Sequence, residues 1–179
     1  MNYPKYTEVQ RFRQIWIWVA MIWVAAICLY FGIKGFYIQL ILGQPWDEMP
    51  MSDAGMVFFT MLMLTIGLGI PGIFFTASLR TEIDRDSIRF SFRPFLFKTR
   101  TFRWSEIRQA QVRRYKPLLE YGGWGIRYGF SGWAYNVSGN MGLQIELKSG
   151  KKLLIGTRKP EELRKFLEKE ILPTLNGDG

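Results

Sequence analysis

Two long apolar segments constrain this chain more than any other feature. Residues 15–33 contain no charged side chain, and residues 54–79 contain none either. A helix needs ~20 predominantly apolar residues to cross a hydrocarbon core of ~30 Å. The sequence therefore predicts two transmembrane helices, over residues 15–42 and 54–79. The alternative, two buried helices of a soluble protein, requires apolar neighbours on every helix face, which a chain of 179 residues could hardly supply.

A signal peptide is a poor explanation of the first apolar segment, although Lys5, Arg11 and Arg13 precede it. The segment is longer than the ~7–15 apolar residues of a signal peptide, and no small-residue cleavage motif follows it. Cys28 is the only cysteine of the chain, so no intramolecular disulfide can form. We interpret Cys28 as a small apolar residue within the membrane.

The distribution of charge predicts the orientation of the two helices. The N-terminal segment 1–14 carries three basic residues and one acidic residue, and the 43–53 loop has Asp47, Glu48 and Asp53 but no base. From Arg80 onward, 20 basic residues face 11 acidic ones. The excess of Lys and Arg on cytoplasmic segments places both termini in the cytoplasm and the 43–53 loop outside the cell membrane.

The sequence GLGIPG at residues 67–72 is the one irregular stretch of the second helix. Pro71 removes a backbone donor, and Gly67, Gly69 and Gly72 permit another helix to approach closely. Two interpretations stay open: a kink packed against the first helix, or a hinge or partner-docking site. Neither helix has an Asp, Glu, Lys, Arg or His in its interior, and Lys34 lies near the end of the first helix, where it can reach the interface. This argues against a self-contained transporter.

Beyond residue 80 the pattern changes to that of a β domain, residues 80–173. Ile88, Phe90 and Phe92 alternate with polar residues, and the segment LQIELK at 143–148 alternates in the same way. Ser149-Gly150 predicts a hairpin turn. We expect about seven antiparallel strands, arranged as a small β-barrel or β-sandwich.

A C-terminal amphipathic helix is expected to close this domain. Lys159 is placed at the N-cap and Pro160 at the first helical position. The apolar residues 163, 166, 167 and 171 follow the spacing of one helix face. The tail, residues 174–179, is expected to be flexible.

Residues 121–136, YGGWGIRYGFSGWAYN, mix glycine with aromatic residues. In a strongly bent sheet, glycine marks bulges and places where a backbone or a ring passes closely. We interpret the segment mainly as architecture, with a ligand platform as the alternative. Its candidate partner-facing residues are Trp124, Arg127 and Trp133.

Three phrases carry a family resemblance: YGGWGIR, GLQIELKSGKKLLIGTRKPEEL and FRPFLFKTRTFRWSEI. The chain resembles bacterial membrane-anchored proteins in which a pleckstrin-homology-like (PH-like) domain follows a two-helix hairpin. The resemblance covers about residues 80–170. It implies the fold of the domain, and it supplies no enzyme activity and no catalytic residues.

The residue inventory favours binding over catalysis. The chain has no histidine, the commonest general base and metal ligand. It has no G-x-x-x-x-G-K-[ST] phosphate loop in the sequence. We therefore expect no enzyme activity, no catalytic residue, no metal and no cofactor, and we infer neither a nucleic acid partner nor a small-molecule substrate.

The remaining sequence feature that indicates a function is an excess of basic residues. Between Arg80 and Lys116 there are eleven basic and four acidic residues. The concentrated candidates for lipid or partner contact are Arg89, Arg93, Lys98, Arg100 and Arg103. The first hypothesis is a membrane-anchored adaptor for a protein partner. The alternatives are a sensor of anionic lipid headgroups and an accessory subunit of a membrane transport or assembly complex, with self-association also open.

Overall fold

The structure, a computed structural model, describes residues 4–46, 51–171 and 173. Asp47 and Glu48 of the predicted external loop and the predicted flexible tail lie outside the described residues. The chain divides into two units. A helical unit covers residues 13–76, and a sheet unit combines the N-terminal segment up to Phe12 with the chain from Ala77 onward.

The helical unit is a hairpin of two long helices. The first begins as α1, Ile15–Phe36, and continues as a π-helical turn, Tyr37–Ile41. The second consists of α2, Asp53–Leu64, a π-helical turn, Thr65–Gly69, and α3, Ile70–Thr76. Both helices are long and apolar enough to cross a membrane. The predicted end of the second helix at residue 79 was wrong, because Ser78 already begins a strand in which Leu79 is fully buried.

Small residues let the two helices approach each other. A Cβ atom added to Gly32 would lie 3.0 Å from the Met63 Cβ, and one added to Gly67 would lie 3.2 Å from the Cys28 Cβ. The Thr60 hydroxyl donates to the Gly32 carbonyl oxygen over 3.3 Å. Gly67 therefore packs against the first helix, as one of the two interpretations of the GLGIPG stretch requires. Gly72 has open space around it.

Replacing Gly67 with leucine is expected to loosen the hairpin, because the added side chain overlaps Cys28 and the backbone at Ala25. Overpacking of this kind costs about 1–3 kcal/mol. The buried Cys28 is the only thiol, so its alkylation rate in detergent reports on the contact directly. We expect the rate to rise about tenfold or more, as a cost of ~1.4 kcal/mol implies. The matched control, Gly72→Leu, should leave the rate unchanged, and equal rates in the two variants would contradict this packing.

The sheet unit contains nine strands within the described residues, arranged in two sheets. The first sheet has the order β1-β2-β3-β4 and the second has the order β5-β8-β9-β7-β6. The strands are β1 Tyr6–Arg11, β2 Ser78–Ile83, β3 Ser87–Arg93, β4 Arg100–Arg103, β5 Ile107–Arg114, β6 Gly125–Gly129, β7 Gly132–Asn136, β8 Met141–Leu147 and β9 Lys152–Gly156. Three short helical elements complete it: a 3-10 turn, Trp104–Glu106; α4, Pro117–Tyr121; and α5, Pro160–Phe166, which continues as a π-helical turn, Leu167–Ile171.

This arrangement corrects three details of the sequence analysis. The two sheets are not closed into a barrel, so the sandwich alternative describes the unit. The pairing of β7 with β9 is parallel, whereas all strands were expected to be antiparallel. The Gly/aromatic segment forms a hairpin of two strands, β6 and β7, and the N-terminal segment adds β1, which together raise the expected count of about seven strands to nine.

The core lies between the sheets and beneath the C-terminal helix. Ile88, Phe90 and Phe92 are buried as their alternation predicted, and the ring centroids of Phe90 and Tyr135 lie 4.7 Å apart across the two sheets. The helical stripe contributes Leu163, which is 2% exposed, together with the buried Leu167 and Ile171. The C-terminal helix starts with Lys159 at its N-cap and Pro160 inside its first turn, as predicted.

Close backbone approach explains one glycine of the aromatic segment. Gly132 has a φ of +87°, and a Cβ atom there would overlap the carbonyl oxygen of Lys152 on the neighbouring β9. An L side chain rarely adopts this backbone conformation. Gly132 therefore permits the entry of β7 beside β9, in agreement with the architectural interpretation of the segment.

A buried carboxylate connects β1 to the residues that follow β9. Glu8 is 6% exposed, and its Oε2 accepts hydrogen bonds from the Tyr6 and Thr157 hydroxyls, each over 2.7 Å. Its Oε1 accepts from the Arg158 backbone N–H over 2.8 Å. Burial raises the pKa of Tyr6 well above its usual value, so the phenol stays a hydrogen-bond donor. The N-terminal segment is thus part of the sheet unit.

Candidate functional site

The sandwich is open on the side where β4 forms the edge of the first sheet. Ser87 to Phe90 of β3 pair with β4, and within the described residues no strand pairs with the other side of β4. A depression of about 530 Å³ lies between this edge and the second sheet. We call it the mouth groove. Its chemistry comes from aromatic and charged residues: Arg100, Phe102, Glu106, Trp133, Tyr135, Lys148, Lys151 and Lys152.

Aromatic rings form one surface of the mouth groove. Trp133 and Tyr135 occupy alternate positions of β7, and their rings are stacked at 6.4 Å with an interplanar angle of 21°. Phe102 lies across from them on β4 and stacks on the buried Phe90 at 6.2 Å. Trp133 is 48% exposed. The groove therefore presents a partly exposed tryptophan supported by packed rings.

Basic side chains surround these rings. Arg100 comes from β4, and Lys148, Lys151 and Lys152 come from the β8–β9 hairpin. Lys152 lies 3.6 Å from Glu146, which neutralises part of its charge. Glu106 is the one acidic residue among those that line the groove. Burial raises the pKa of the Tyr135 hydroxyl, and the nearby Arg100 charge opposes the shift. At neutral pH, the buried Tyr135 phenol is therefore uncharged.

Backbone hydrogen bonds fix the wall of the mouth groove. The Lys148 N–H donates to the Glu106 carbonyl oxygen over 2.8 Å, which joins the hairpin to the turn that follows β4. The Leu147 N–H donates to the Lys151 carbonyl oxygen over 2.9 Å and closes the predicted Ser149-Gly150 turn. The lysines therefore extend from a braced turn, which reduces the ordering cost of binding.

A second basic surface covers the outer face of the first sheet. Arg11, Arg80, Arg89 and Arg93 line a depression of about 610 Å³, and we call this surface the outer basic face. Arg80 forms an ion pair with Glu82 at 2.7 Å, and Lys5 reaches the same carboxylate at 2.6 Å. Arg89 pairs with Asp84. Two of the four arginines therefore already have a carboxylate partner on the same sheet.

The predicted site residues are distributed over several places. Arg100 and Trp133 meet in the mouth groove. Arg89 and Arg93 belong to the outer basic face, which the sequence analysis did not extend to Arg11 and Arg80. Lys98 is exposed before β4, and the Arg103 backbone N–H donates to Glu106 over 3.2 Å.

Trp124 and Arg127 lie apart from Trp133. The Trp124 indole N–H donates to the Gly139 carbonyl oxygen over 2.9 Å, and Arg127 donates to the Trp124 carbonyl oxygen over 3.2 Å. In the β6–β7 register, Tyr128 pairs with Trp133, so Arg127 points to the opposite face of the sheet. The structure therefore does not bring these three predicted residues into one site.

Part of the mouth groove was not predicted from the sequence. Lys148, Lys151 and Lys152 flank the predicted turn in the sequence LKSGKK, but a turn of lysines is equally consistent with a solvated surface. Phe102 and Tyr135 belong to strands that the sequence analysis left without an assigned face. The sequence signal that could have identified the groove is the cluster of lysines beside the predicted hairpin turn.

No protein-family model matches the chain, and no curated protein matches it. What the structure shows is two helices long and apolar enough to cross a membrane, followed by a two-sheet sandwich with a C-terminal helix.

Proposed function

We propose that this chain is a membrane-anchored, non-enzymatic binding module whose mouth groove holds an acidic segment of a partner protein. The two helices cross the cell membrane, with both termini in the cytoplasm. The sandwich is a PH-like domain presented at the cytoplasmic face. The observation that carries the proposal is the convergence of Trp133, Tyr135 and Phe102 with Arg100 and three lysines in one open groove.

Exposed side chains support the anchor. Large apolar residues on both helices are more than half exposed in the isolated chain, among them Trp16 at 60%, Phe58 at 70% and Phe75 at 75%. Water is a poor solvent for a surface of this kind, and lipid covers it at no hydrophobic cost. The basic excess after Arg80 supports the cytoplasmic orientation.

The groove chemistry selects the class of partner. Aromatic side chains at the centre of a binding site contribute most of the affinity of many interfaces, and Trp133, half exposed and supported by the buried Tyr135, fits that role. Lysine and arginine around them favour carboxylates and repel basic segments. The unpaired side of β4 offers backbone groups to an extended peptide, which can add to the sheet as a further strand. An acidic segment with one aromatic or aliphatic residue meets all three conditions.

Selection from a random peptide library on the full-length protein, held in nanodiscs of uncharged phosphatidylcholine, tests the proposed groove chemistry. We expect enriched peptides to carry Asp or Glu on both sides of an aromatic or aliphatic residue. Enrichment of basic peptides, or no consensus at all, would contradict the groove assignment. The lipid carries no net charge, so membrane electrostatics cannot produce the acidic preference.

Recognition of anionic headgroups by the outer basic face is the second candidate function, favoured by the depression that its four arginines line. A headgroup site held together by exposed charges weakens steeply as salt rises, whereas an aromatic groove retains part of its affinity. The existing pairs of Arg80 with Glu82 and of Arg89 with Asp84 reduce the charge this face can offer. For that reason we place it second.

A role as an accessory subunit of a membrane complex is the third candidate. Gly72 has open space around it, and an apolar depression of about 180 Å³ lies beside Pro71, lined by both helices. Another helix, from a partner or from a second copy of this chain, could pack there. A complex that survives detergent extraction and is lost in Gly72→Leu would favour this role.

A further inference from the structure

The connection between β3 and β4 exposes aromatic rings on the sheet unit. Phe97 is 90% exposed and Phe95 is 41% exposed. The Phe95 ring packs edge-on against the buried Phe92 at 5.5 Å, and the Leu96 N–H donates to the Phe92 carbonyl oxygen over 2.6 Å. These contacts hold the base of the loop, while the Phe97 ring extends into the surroundings. We call residues 94–99 the aromatic loop.

Only basic charges lie near the aromatic loop along the chain. No acidic residue occurs between Asp86 and Glu106, a stretch that carries five basic residues. Arg93 precedes the loop, Lys98 lies within it and Arg100 follows it, and all three are exposed. Exposed aromatic rings framed by bases match the chemistry of an anionic membrane surface, where rings enter the interface and bases meet phosphates.

Strand register places the aromatic loop at one particular end of the first sheet. Arg93, the last residue of β3, pairs with Ser78, the first residue of β2, and Ser78 pairs with Arg11, the last residue of β1. Only Ala77 separates Ser78 from the second apolar helix, and three residues separate Arg11 from the first. The loop therefore leaves the sheet at the end where both strands continue into the apolar helices. The polar turn at residues 84–86 lies at the opposite end.

We propose that the aromatic loop docks on the anionic bilayer in which the helices are anchored. Phe97 enters the headgroup interface, and Arg93 and Lys98 contact lipid phosphates. The proposal rests on the membrane anchor of the proposed function and is independent of the mouth groove. The two covalent connections keep the loop close to the bilayer, so this contact carries no cost of bringing separate molecules together. Its consequence is a restricted orientation of the sheet unit on the membrane.

A fluorescent label beside the loop tests the docking. In a Cys28→Ala background, Thr99→Cys places an environment-sensitive dye next to Phe97, and Asp86→Cys places the same dye at the opposite end of the sheet. The full-length protein is reconstituted in nanodiscs of phosphatidylcholine alone or mixed with phosphatidylglycerol, each containing a lipid-borne spin-label quencher. We expect quenching at position 99 to be several-fold stronger than at position 86, and strongest with phosphatidylglycerol.

A loop variant separates insertion from mere proximity. Phe97→Ser should reduce the quenching of the dye in the Thr99→Cys background and should leave the quenching in the Asp86→Cys background unchanged. Equal quenching at positions 99 and 86, or no response to Phe97→Ser, would overturn the docking proposal. Failure of the protein to enter nanodiscs would instead contradict the anchor, and the docking proposal with it. If the protein enters nanodiscs but the dye at position 99 is not quenched, the docking of the aromatic loop is contradicted and the anchor is not.

Discussion

Glu8→Ala is expected to destabilise the sheet unit by about 3 kcal/mol, because the change leaves the Thr157 hydroxyl and the Arg158 N–H buried without their acceptor. The carboxylate joins β1 to the connection between β9 and α5, so its loss should free the whole N-terminal strand. Hydrogen exchange of the full-length protein in nanodiscs measures this. Backbone amides of β1 and of its partner β2 should lose protection by about 100-fold.

A neighbouring substitution serves as the control for Glu8→Ala. Val9 lies on the same strand with its side chain 53% exposed, so Val9→Ala should change stability by no more than about 0.5 kcal/mol. Equal loss of protection in the two variants would mean that the Glu8 carboxylate has no specific role in holding β1. Unchanged exchange in Glu8→Ala would contradict the role of the buried carboxylate.

Reversing two charges in the mouth groove is expected to abolish the binding of acidic peptides. Arg100→Glu together with Lys151→Glu replaces two attractive charges by two repulsive ones on opposite walls of the groove. Close unfavourable charge pairs at an interface cost several kcal/mol, so the Kd of a selected acidic peptide should rise at least ~100-fold. Fluorescence anisotropy with the labelled peptide and the full-length protein in phosphatidylcholine nanodiscs measures the change.

The control for this reversal has the same change in net charge. Lys165→Glu with Lys169→Glu alters two exposed lysines outside the groove lining. We expect that variant to bind the acidic peptide within about threefold of the unaltered protein, because neither lysine lines the groove and salt screens exposed charges over a Debye length of ~8–10 Å. A similar loss in both variants would mean that the peptide senses net charge and not the groove.

Most of the secondary structure could be predicted from periodicity, and the missing strand shows why the rest could not. In β1 the buried positions are Tyr6, Glu8 and Gln10, whereas Val9 faces outward. The polarity pattern is thus the reverse of that of a half-buried strand. The Gln10 amide donates to the Gly156 carbonyl oxygen over 2.6 Å. The segment forms a strand because these polar side chains find partners elsewhere in the fold. The local sequence gives no information about those partners.

The candidate site was predictable only in fragments. Arg100 and Trp133 were each selected from the sequence, but for separate reasons and as parts of separate surfaces. Their proximity depends on the open side of the sandwich, which follows from the strand order of both sheets. The glycines of the helical hairpin give a similar result: packing of Gly67 against the first helix was one of two interpretations of the sequence, whereas the matching Gly32 on the first helix was not identified. The sequence shows which side chains are available, but it does not show which distant strands and helices pack against each other.

Photo-crosslinking from the mouth groove in intact cells identifies what the groove binds. A p-benzoylphenylalanine in place of Trp133 reports what occupies the groove of the full-length protein in its own membrane, and the same residue in place of the exposed Lys169 is the control. We expect a discrete protein adduct from position 133, attached within an acidic segment and lost when Arg100 and Lys151 are both replaced by glutamate. Adducts to lipid alone, or the same protein adducts from position 169, would contradict it.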